Sequence, residues 1–368
     1  MKILIVGSGI AGLGLAVALE RRGIVADVIE RQPSAPPFGA CLYMPGNTAR
    51  ALRSLGIFEA VEPLAHRIQR QELFASNGQL LSTVEVGRFW SDVAPCLSIE
   101  RNTLRGILEA ALRDARIRYG WDIERIEHHQ DQVRARFMNG THELYDLIVG
   151  ADGVDSKVRS QMFPGSKARF CGQICWRAIV DNPTSFADWH AMLGRDKALL
   201  AVGLPGSKLY LYADVRSGGD EGAELAPAEI FRDFSPPFAV CVEALANAEH
   251  GYRSRIEEVI LEEWHRPNLV LIGDAAHASR PNMAEGAGMA LEDALALAEM
   301  LADSRRLSLE RLLPSFVERR RRRADWVQKQ SQARDRLRSL PGFIRETVLR
   351  FGAARLHDRA FTPLRAEI

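Results

Sequence analysis

The glycine-rich segment near the N-terminus constrains the fold more than any other feature of the chain. Lys2 to Val6 is a short, nearly continuous apolar run, which is typical of a buried parallel strand. Gly7-Ser8-Gly9-Ile10-Ala11-Gly12 follows and opens a helix that we expect from about Ile10 to Arg22, with Gly23 at its C-terminal end. Val25 to Glu30 reads as a second strand. This strand–helix–strand order predicts a Rossmann-type nucleotide-binding unit.

Each glycine of this turn has its own role in holding a dinucleotide. Gly7 permits the tight turn, Gly9 lets the backbone approach a pyrophosphate, and Gly12 lets the helix pack closely on the strand. Glu30 lies 18 residues beyond Gly12, where a carboxylate can accept both hydroxyls of an adenosine ribose. Arg31 either covers an adenine face or is a solvated arginine at a strand end. The motif predicts dinucleotide binding but does not separate NAD from FAD.

Two later segments repeat the form of a buried strand followed by a turn. Leu144 to Gly150 is one predicted strand, and in the turn that follows, Asp152 can bond backbone N–H groups. Leu269 to Ile272 is the other, and the carboxylate of Asp274 in the next turn can hold a ribityl hydroxyl. Small residues from Ala284 to Gly288 then lead into a helix whose N-terminus can meet the pyrimidine edge of a flavin.

Bulk composition limits the function classes. The chain has 368 residues, which favours two domains, and its net charge of +1 argues against nucleic acid or a membrane surface as a partner. We expect Arg319 to Arg323 to form a solvated helix face. The five cysteines are interpreted as reduced thiols of a cytoplasmic protein without a structural metal. No apolar stretch approaches the ~20 residues of a membrane span.

The three motifs in this order resemble the single-component aromatic-hydroxylase flavoprotein monooxygenases, the family of p-hydroxybenzoate hydroxylase. The resemblance covers residues from about 1 to 60, 96 to 160 and 268 to 300. It implies non-covalent FAD, NADH or NADPH as the electron donor, and O₂ as co-substrate. The implied reaction forms a flavin C4a-hydroperoxide that hydroxylates an aromatic or conjugated small molecule, in catabolism or in natural-product biosynthesis. The family also implies that the Asp152-Gly153 turn serves both FAD and NAD(P)H.

The resemblance carries cofactor roles onto matching positions. These positions are Gly7, Gly9, Ala11, Gly12, Glu30, Arg31, Arg101, Asp152, Gly273, Asp274, Gly286, Ala287 and Gly288. The segment from Gly39 to Asn47 would lie beside the flavin. One position departs from the family, which usually has Gly-Gln-Gly where this chain has Ala284-Glu285-Gly286. An acidic Glu285 near the ring would oppose the anionic reduced flavin unless it points away. We expect His277 to have a structural or flavin-proximal packing role.

The expected fold class is α/β, with sheet-rich segments interrupting the nucleotide-binding segments. The FAD-binding domain is assigned to residues 1–70, 96–168 and 265–325. A substrate-binding domain on a mostly antiparallel sheet is assigned to residues 71–95 and 169–264. Residues 326–368 form a C-terminal helical segment, and the helical region beyond about residue 303 is predicted to break at Pro314, Pro341 and Gly342.

The substrate is expected to lie on one face of the second sheet. The candidate pocket residues are Trp176, Arg177, Tyr210 and Tyr212, and strand alternation alone does not say which of them face it. Arg177 either pairs with an anionic substrate or forms a surface salt bridge. The alternatives to a monooxygenase are another flavin enzyme, either a halogenase or a reductase, and a non-enzymatic flavoprotein redox module. The chain lacks the Trp-x-Trp-x-Ile-Pro segment that halogenases need. We expect a monomer or homodimer.

Overall fold

The computed structural model describes residues 1–34, 40–217, 226–303 and 308–368. The strands are β1 (Ile3–Val6), β2 (Asp27–Glu30), β3 (Cys41–Met44), β4 (His66–Ile68), β5 (Gln71–Ala75), β6 (Leu80–Val84), β7 (Cys96–Glu100), β8 (Ile117–Tyr119), β9 (Ile123–His129), β10 (Gln132–Phe137), β11 (His142–Tyr145), β12 (Leu147–Gly150), β13 (Arg169–Asp181), β14 (Trp189–Gly194), β15 (Lys197–Leu204), β16 (Lys208–Arg216), β17 (Tyr252–Glu258), β18 (His265–Arg266) and β19 (Leu269–Leu271). The helices are α1 (Ile10–Glu20), α2 (Gly46–Ser54), α3 (Phe58–Val61), α4 (Val86–Phe89), α5 (Arg101–Ala110), α6 (Lys157–Met162), α7 (Pro227–Ile230), α8 (Phe238–Ala246), α9 (Asp274–His277), α10 (Gly286–Ala302), α11 (Leu309–Arg338) and α12 (Gly342–Arg365).

A six-stranded sheet brings the three sequence motifs to one edge. Its order is β18-β19-β12-β1-β2-β8, and all pairs are parallel except β18 with β19. β1, β12 and β19 are neighbours, and each is followed directly by one of the motifs. Because parallel strands end at the same edge, the three turns meet where ligands bind in open α/β sheets.

The second large sheet of the protein has seven strands. Its order is β17-β13-β16-β15-β14-β5-β6, and only β14 with β5 is parallel. Its strands come from two stretches of chain, one before and one after the segment that contains β12. One face packs on α7 and α8, and the other shares a buried cluster with residues of β3, α10, α11 and α12. The expected Rossmann fold with an interleaved, mostly antiparallel sheet and C-terminal helices is confirmed.

The C-terminal helices differ from the prediction at one point. α11 runs without a break for 30 residues and contains Pro314, so the break predicted there is wrong. Pro314 is exposed, where water can satisfy the carbonyl group that its missing N–H leaves free. The break at Pro341 and Gly342 separates α11 from α12 as predicted. The domain boundary predicted at residue 326 falls inside α11. Among the described residues, no helix has the length and apolar character needed to cross a bilayer.

Candidate functional site at the edge of the parallel sheet

The glycine-rich turn between β1 and α1 leaves no room for side chains at two of its positions. Gly7 has a φ of +106°, and a Cβ there would lie 2.5 Å from the carbonyl oxygen of Ala151. A Cβ at Gly12 would lie 1.9 Å from the carbonyl oxygen of Gly7. A Cβ at Gly9 would meet nothing within 4 Å. The turn is therefore closed towards the sheet and open at Gly9, the side from which a pyrophosphate would approach.

Glu30 is fixed at the end of β2 by bonds to the glycine-rich turn. One carboxylate oxygen accepts from the Ser8 N–H at 3.0 Å and from its hydroxyl at 3.1 Å, and the other accepts from the Gln32 N–H at 3.0 Å. The buried guanidinium of Arg105, on α5, donates to the Ser8 carbonyl at 3.2 Å and to its hydroxyl at 3.0 Å. The sequence assigned no role to Ser8 or Arg105, because nothing near Ser8 in the chain indicates that an arginine 97 residues later binds it.

The Asp152 carboxylate organises the second turn through backbone hydrogen bonds, as predicted. It accepts from the N–H groups of Lys157 at 2.7 Å and Val158 at 3.1 Å, and so caps the start of α6. Arg159 on the same helix is buried and donates to the carbonyl of Ala275 at 3.1 Å. This arginine, which the sequence analysis did not single out, ties the second turn to the third.

The third turn touches the first and faces the start of α10. Gly273 has a φ of +59°, and a Cβ there would lie 2.9 Å from the Cβ of Ala11. Its N–H donates to Asp293 at 2.9 Å. The Asp274 side chain is exposed, and a Cβ at Gly286 would lie 3.9 Å from its carboxylate. Ala11, Gly273, Asp274 and Gly286 therefore lie together, as their common assignment to the cofactor requires.

A buried ion-pair network holds the third turn from behind. Asp293 accepts from Arg320 at 2.8 Å and lies 2.6 Å from the His277 ring nitrogen. Arg320 also pairs with Glu292 at 2.9 Å, and Arg323 reaches the same carboxylate at 2.7 Å. Burial alone would raise the pKa of Asp293, but the nearby His277 and Arg320 outweigh it and hold that pKa at about 2. His277 thus has the structural role that we expected.

The arginine run from Arg319 to Arg323 is only in part the solvated face that its sequence suggested. Arg322 is 88% exposed, but Arg320 is 1% exposed and belongs to the buried network. The reason is geometric: successive helical residues are 100° apart, so five in a row occupy every face of α11. The signal that could have revealed the network is the acidic pair Glu292-Asp293 in the middle of the mostly apolar α10.

Side chains from α2 and α10 form a polar socket behind the N-terminus of α10. Glu285 is 1% exposed, and one of its oxygens accepts from the Asn47 amide at 2.8 Å. A Cβ at Gly288 would lie 2.4 Å from the Thr48 hydroxyl oxygen and 2.8 Å from Glu285. The second carboxyl oxygen of Glu285, the Thr48 hydroxyl and the Asn47 amide oxygen are buried, and find no hydrogen-bond partner in the part of the chain that the structure describes.

The charge of Glu285 is set by opposing influences. Burial raises its pKa to about 8, and the carboxylate of Glu292 adds to the rise. The Asn47 amide and the guanidinium groups of Arg323 and Arg334 work in the opposite direction. Burial outweighs these groups, so the environment of Glu285 favours its protonated form near neutral pH. One of its oxygens points towards α2, where the Asn47 amide donates to it at 2.8 Å.

The remaining predicted cofactor residues lie at the rim of this edge. Arg31 is exposed at the end of β2, and Arg101 is exposed as the first residue of α5. The Arg101 N–H donates to the carbonyl of Ala40 at 2.8 Å. Gly39, the first residue of the predicted flavin-side loop, lies outside the described residues, and residues 40–47 form β3 and the start of α2.

The seven-stranded sheet separates the four substrate-pocket candidates onto two faces. Arg177, Tyr210 and Tyr212 face the cofactor domain, with the Arg177 guanidinium 5.5 Å from the centre of the Tyr212 ring. Trp176 faces the opposite side and packs against Phe231, with ring centres 6.5 Å apart. Trp176, whose facing the sequence left open, therefore points away from the cofactor domain, because adjacent residues of a strand point to opposite faces.

The described residues fit an FAD cofactor. At the glycine-rich turn, open space borders Gly9 where the N-terminus of α1 can receive a pyrophosphate. Beside the N-terminus of α10, the buried oxygen atoms of Asn47, Thr48 and Glu285 have no hydrogen-bond partner among the described residues. Both places lie along the same edge of the parallel sheet, so one extended dinucleotide can serve both. Asp274, exposed between them, can hold the middle of the molecule.

Comparisons with known proteins agree with this geometry. A family model described as an FAD binding domain matches residues 1–331. The chain is 31% identical to 2-heptyl-3-hydroxy-4(1H)-quinolone synthase of Pseudomonas aeruginosa, and the match covers 98% of each chain. It is 28% identical to 6-hydroxynicotinate 3-monooxygenase of Pseudomonas fluorescens over 92% of each chain.

Solved structures show the same fold. HpxO of Klebsiella pneumoniae, in complex with FAD and uric acid, superposes with a TM-score of 0.81 at 22% identity, covering 99% of this chain and 92% of that one. 2-Methyl-3-hydroxypyridine-5-carboxylic acid oxygenase gives a TM-score of 0.79 at 26% identity, covering 96% of each chain. At 22% identity, the similarity to HpxO supports a shared fold alone.

Proposed function

This chain belongs to the FAD-dependent aromatic hydroxylase family, and from that premise we propose that it hydroxylates a nitrogen-containing aromatic ring bearing an oxo or hydroxy group. The observation that carries the proposal is the placement of Arg177, Tyr210 and Tyr212 on the sheet face that looks towards the cofactor domain. Relatives support the ring class, because a quinolone, a hydroxynicotinate and urate all contain ring nitrogen and a ring-bound oxygen.

These three side chains suit such a ring chemically. The Arg177 guanidinium donates to the Ser254 hydroxyl at 2.9 Å and lies over the Tyr212 ring. Because these partners are neutral, its positive charge remains for a ring oxygen that carries negative charge. Burial raises the pKa of both Tyr210 and Tyr212, so their hydroxyls stay protonated. The Tyr212 hydroxyl has the Asp214 carboxylate as a hydrogen-bond partner, and the Tyr210 hydroxyl can donate to a ring oxygen. Their rings provide flat apolar surface for an aromatic substrate.

FAD, when bound, supplies the redox chemistry: it accepts electrons from NADH or NADPH and activates O₂ for insertion. The protein orients both reactants and excludes water. We propose that the backbone at Gly9 approaches the pyrophosphate, Glu30 holds the adenosine ribose, Asp274 holds a ribityl hydroxyl, and Gly286 to Gly288 contact the pyrimidine edge. In the same scheme Arg31 and Arg101 flank the adenosine and the middle of FAD, and the Asp152 turn also admits NAD(P)H.

The cellular setting is also a proposal. The five free cysteines suit the reducing cytoplasm. We propose a cytoplasmic monomer or homodimer, and light scattering of the purified protein separates those two states.

A ligand titration tests the substrate proposal without turnover. The flavin absorbance of the FAD-loaded protein is followed while a 4-quinolone or a hydroxypyridine carboxylate is added. Arg177→Met is expected to weaken binding by about tenfold or more, because a charge-assisted hydrogen bond is lost. Trp176→Phe is the matched control on the opposite face, and it should leave the affinity unchanged. Equal effects of the two substitutions, or none from Arg177→Met, would overturn the proposal.

A further inference from the structure

Glu285 occupies a place where a carboxyl group is hard to keep charged. It is 1% exposed, it precedes the first turn of α10, and one of its oxygens has no hydrogen-bond partner among the described residues. Its charge would lie beside the residues that we assign to the pyrimidine edge, Gly286 to Gly288. The inference below therefore rests on the proposed placement of the flavin.

Groups from five elements lie around this carboxyl. Asn47 and Thr48 come from α2, Glu292 comes from the next turns of α10, and Arg323 and Arg334 come from α11. A further influence comes from β3 and β7, where the Tyr43 hydroxyl and the Cys96 thiol lie close enough to interact electrostatically with Glu285.

The two cations near Glu285 act on it through space and form no direct ion pair with it among the described residues. Arg323 pairs with Glu292 at 2.7 Å, and Arg334 donates to the carbonyl of Asn282 at 2.8 Å. An ionised Glu285 would therefore add a second carboxylate beside Glu292 without a pairing partner of its own. Burial of such a charge is costly, which is why its pKa rises to about 8.

The N-terminus of α10 attracts negative charge, but two groups would compete for it. A helix N-terminus stabilises an anion within its first turn. A reduced flavin carries its negative charge on the pyrimidine edge. We propose that Glu285 is a positioning residue that gives up this helix end to the reduced flavin by remaining protonated, so that its proton is coupled to reduction of the cofactor.

The coupling has a defined balance. Below the pKa of Glu285, oxidised FAD takes up two electrons and one proton to give the anionic reduced form. Above the pKa that Glu285 has with oxidised FAD, and below the higher pKa that it would have beside the anionic reduced flavin, the same two electrons would bring in a second proton, which would bind the carboxylate of Glu285. Each proton taken up changes the reduction equilibrium tenfold per pH unit, which corresponds to about 30 mV for two electrons.

Spectroelectrochemical titration of the FAD-loaded protein from about pH 6 to about pH 10 measures this coupling directly. Wild-type protein should show a steeper fall of the midpoint potential with pH above a break on the alkaline side of neutrality. Glu285→Gln should match wild type at the acid end and show no break, so that its potential exceeds that of wild type by a tenfold factor per pH unit beyond the break. Glu299→Gln, an equal change at the exposed far end of α10, should behave as wild type.

Each outcome bears on a separate claim. Parallel lines for wild type and Glu285→Gln at every pH would overturn the coupling, and so would a shift that is the same at all pH values, which is what a purely structural role predicts. If Glu285→Gln does not fold, a wild-type line without a break overturns the inference on its own. A protein that does not take up FAD would instead refute the proposed function.

Discussion

The two ends of the cofactor edge are built in opposite ways. At the glycine-rich turn, a local segment makes the site from backbone: Gly7 and Gly12 leave no space for a Cβ, and Gly9 faces open space. At the N-terminus of α10, the site is built from polar and charged side chains of α2, α10 and α11. Asn47 donates a hydrogen bond to Glu285, and Glu292 forms ion pairs with two arginines. The first end depends on shape that short sequence motifs specify, and the second depends on pairings between residues far apart in the chain.

The largest effect is expected from a substitution in the buried ion-pair network of α10 and α11. Arg320→Ala removes one cationic partner from each of two buried carboxylates, Glu292 and Asp293, and we expect the free energy of unfolding to fall by about 3–5 kcal/mol. Arg322→Ala, two positions along the same run, changes an 88% exposed side chain and should alter it by less than about 0.5 kcal/mol. Chemical denaturation of both variants measures the difference. Similar losses would mean that the network does not stabilise this end of the cofactor edge.

A second prediction uses the raised pKa of Glu285. The pKa of glutamate in the unfolded chain is near its ordinary value of 4.5, whereas burial raises the pKa of folded Glu285 to about 8. Stability should therefore decline as pH rises from about 4.5 to about 8, because only the unfolded state can release this proton in that window. Glu285→Gln removes the cost, so the variant should be more stable than wild type at pH 7, by on the order of 3 kcal/mol.

Denaturation at several pH values checks that result. The advantage of Glu285→Gln should vanish at the acid side of the window, where both folded and unfolded wild type hold the proton. A variant whose stability relative to wild type does not change with pH would show that Glu285 is ionised in the folded state.

A smaller effect is expected at the backbone end. Gly9→Ala places a methyl group in open space, so the unfolding free energy of the apoprotein should stay nearly unchanged. The methyl group would meet the pyrophosphate, and the dissociation constant of FAD should rise by about tenfold, near 1.4 kcal/mol. Gly12→Ala should lower stability as well, since its Cβ would lie 1.9 Å from a carbonyl oxygen. Calorimetric FAD titration with unchanged affinity for Gly9→Ala would place the cofactor elsewhere.

The contrast between the two ends also explains what could be predicted from sequence. The close approach of Gly12 to Gly7 and the bonds of Asp152 to the start of α6 were predictable, because their partners lie within a few residues. The burial of Arg320 was not predictable, because its partners Glu292 and Asp293 are 28 and 27 residues earlier on another helix.

The sheet face on which each pocket candidate lies could likewise not be predicted from the neighbouring residues in the sequence. Strand alternation says that Trp176 and Arg177 point in opposite directions, but only the packing of α7 and α8 decides that the tryptophan faces away from the cofactor domain. The direction of Glu285 depends in the same way on Asn47, which lies 238 residues before it. The family resemblance predicted the FAD cofactor, whereas the packing of neighbouring elements determines the direction in which these side chains point.

The most direct test of the account is the coupling of NAD(P)H oxidation to product. Wild-type enzyme with FAD is given NADH or NADPH and O₂ together with matched pairs of rings, a hydroxypyridine or 4-quinolone and its carbocyclic phenol or naphthol analogue, and hydroxylated product and peroxide are both quantified. We expect nearly one product per reduced nicotinamide with a nitrogen-containing ring, and mostly peroxide with its carbocyclic partner. Efficient coupling confined to the carbocyclic rings, or peroxide as the only product with every ring, would contradict this expectation.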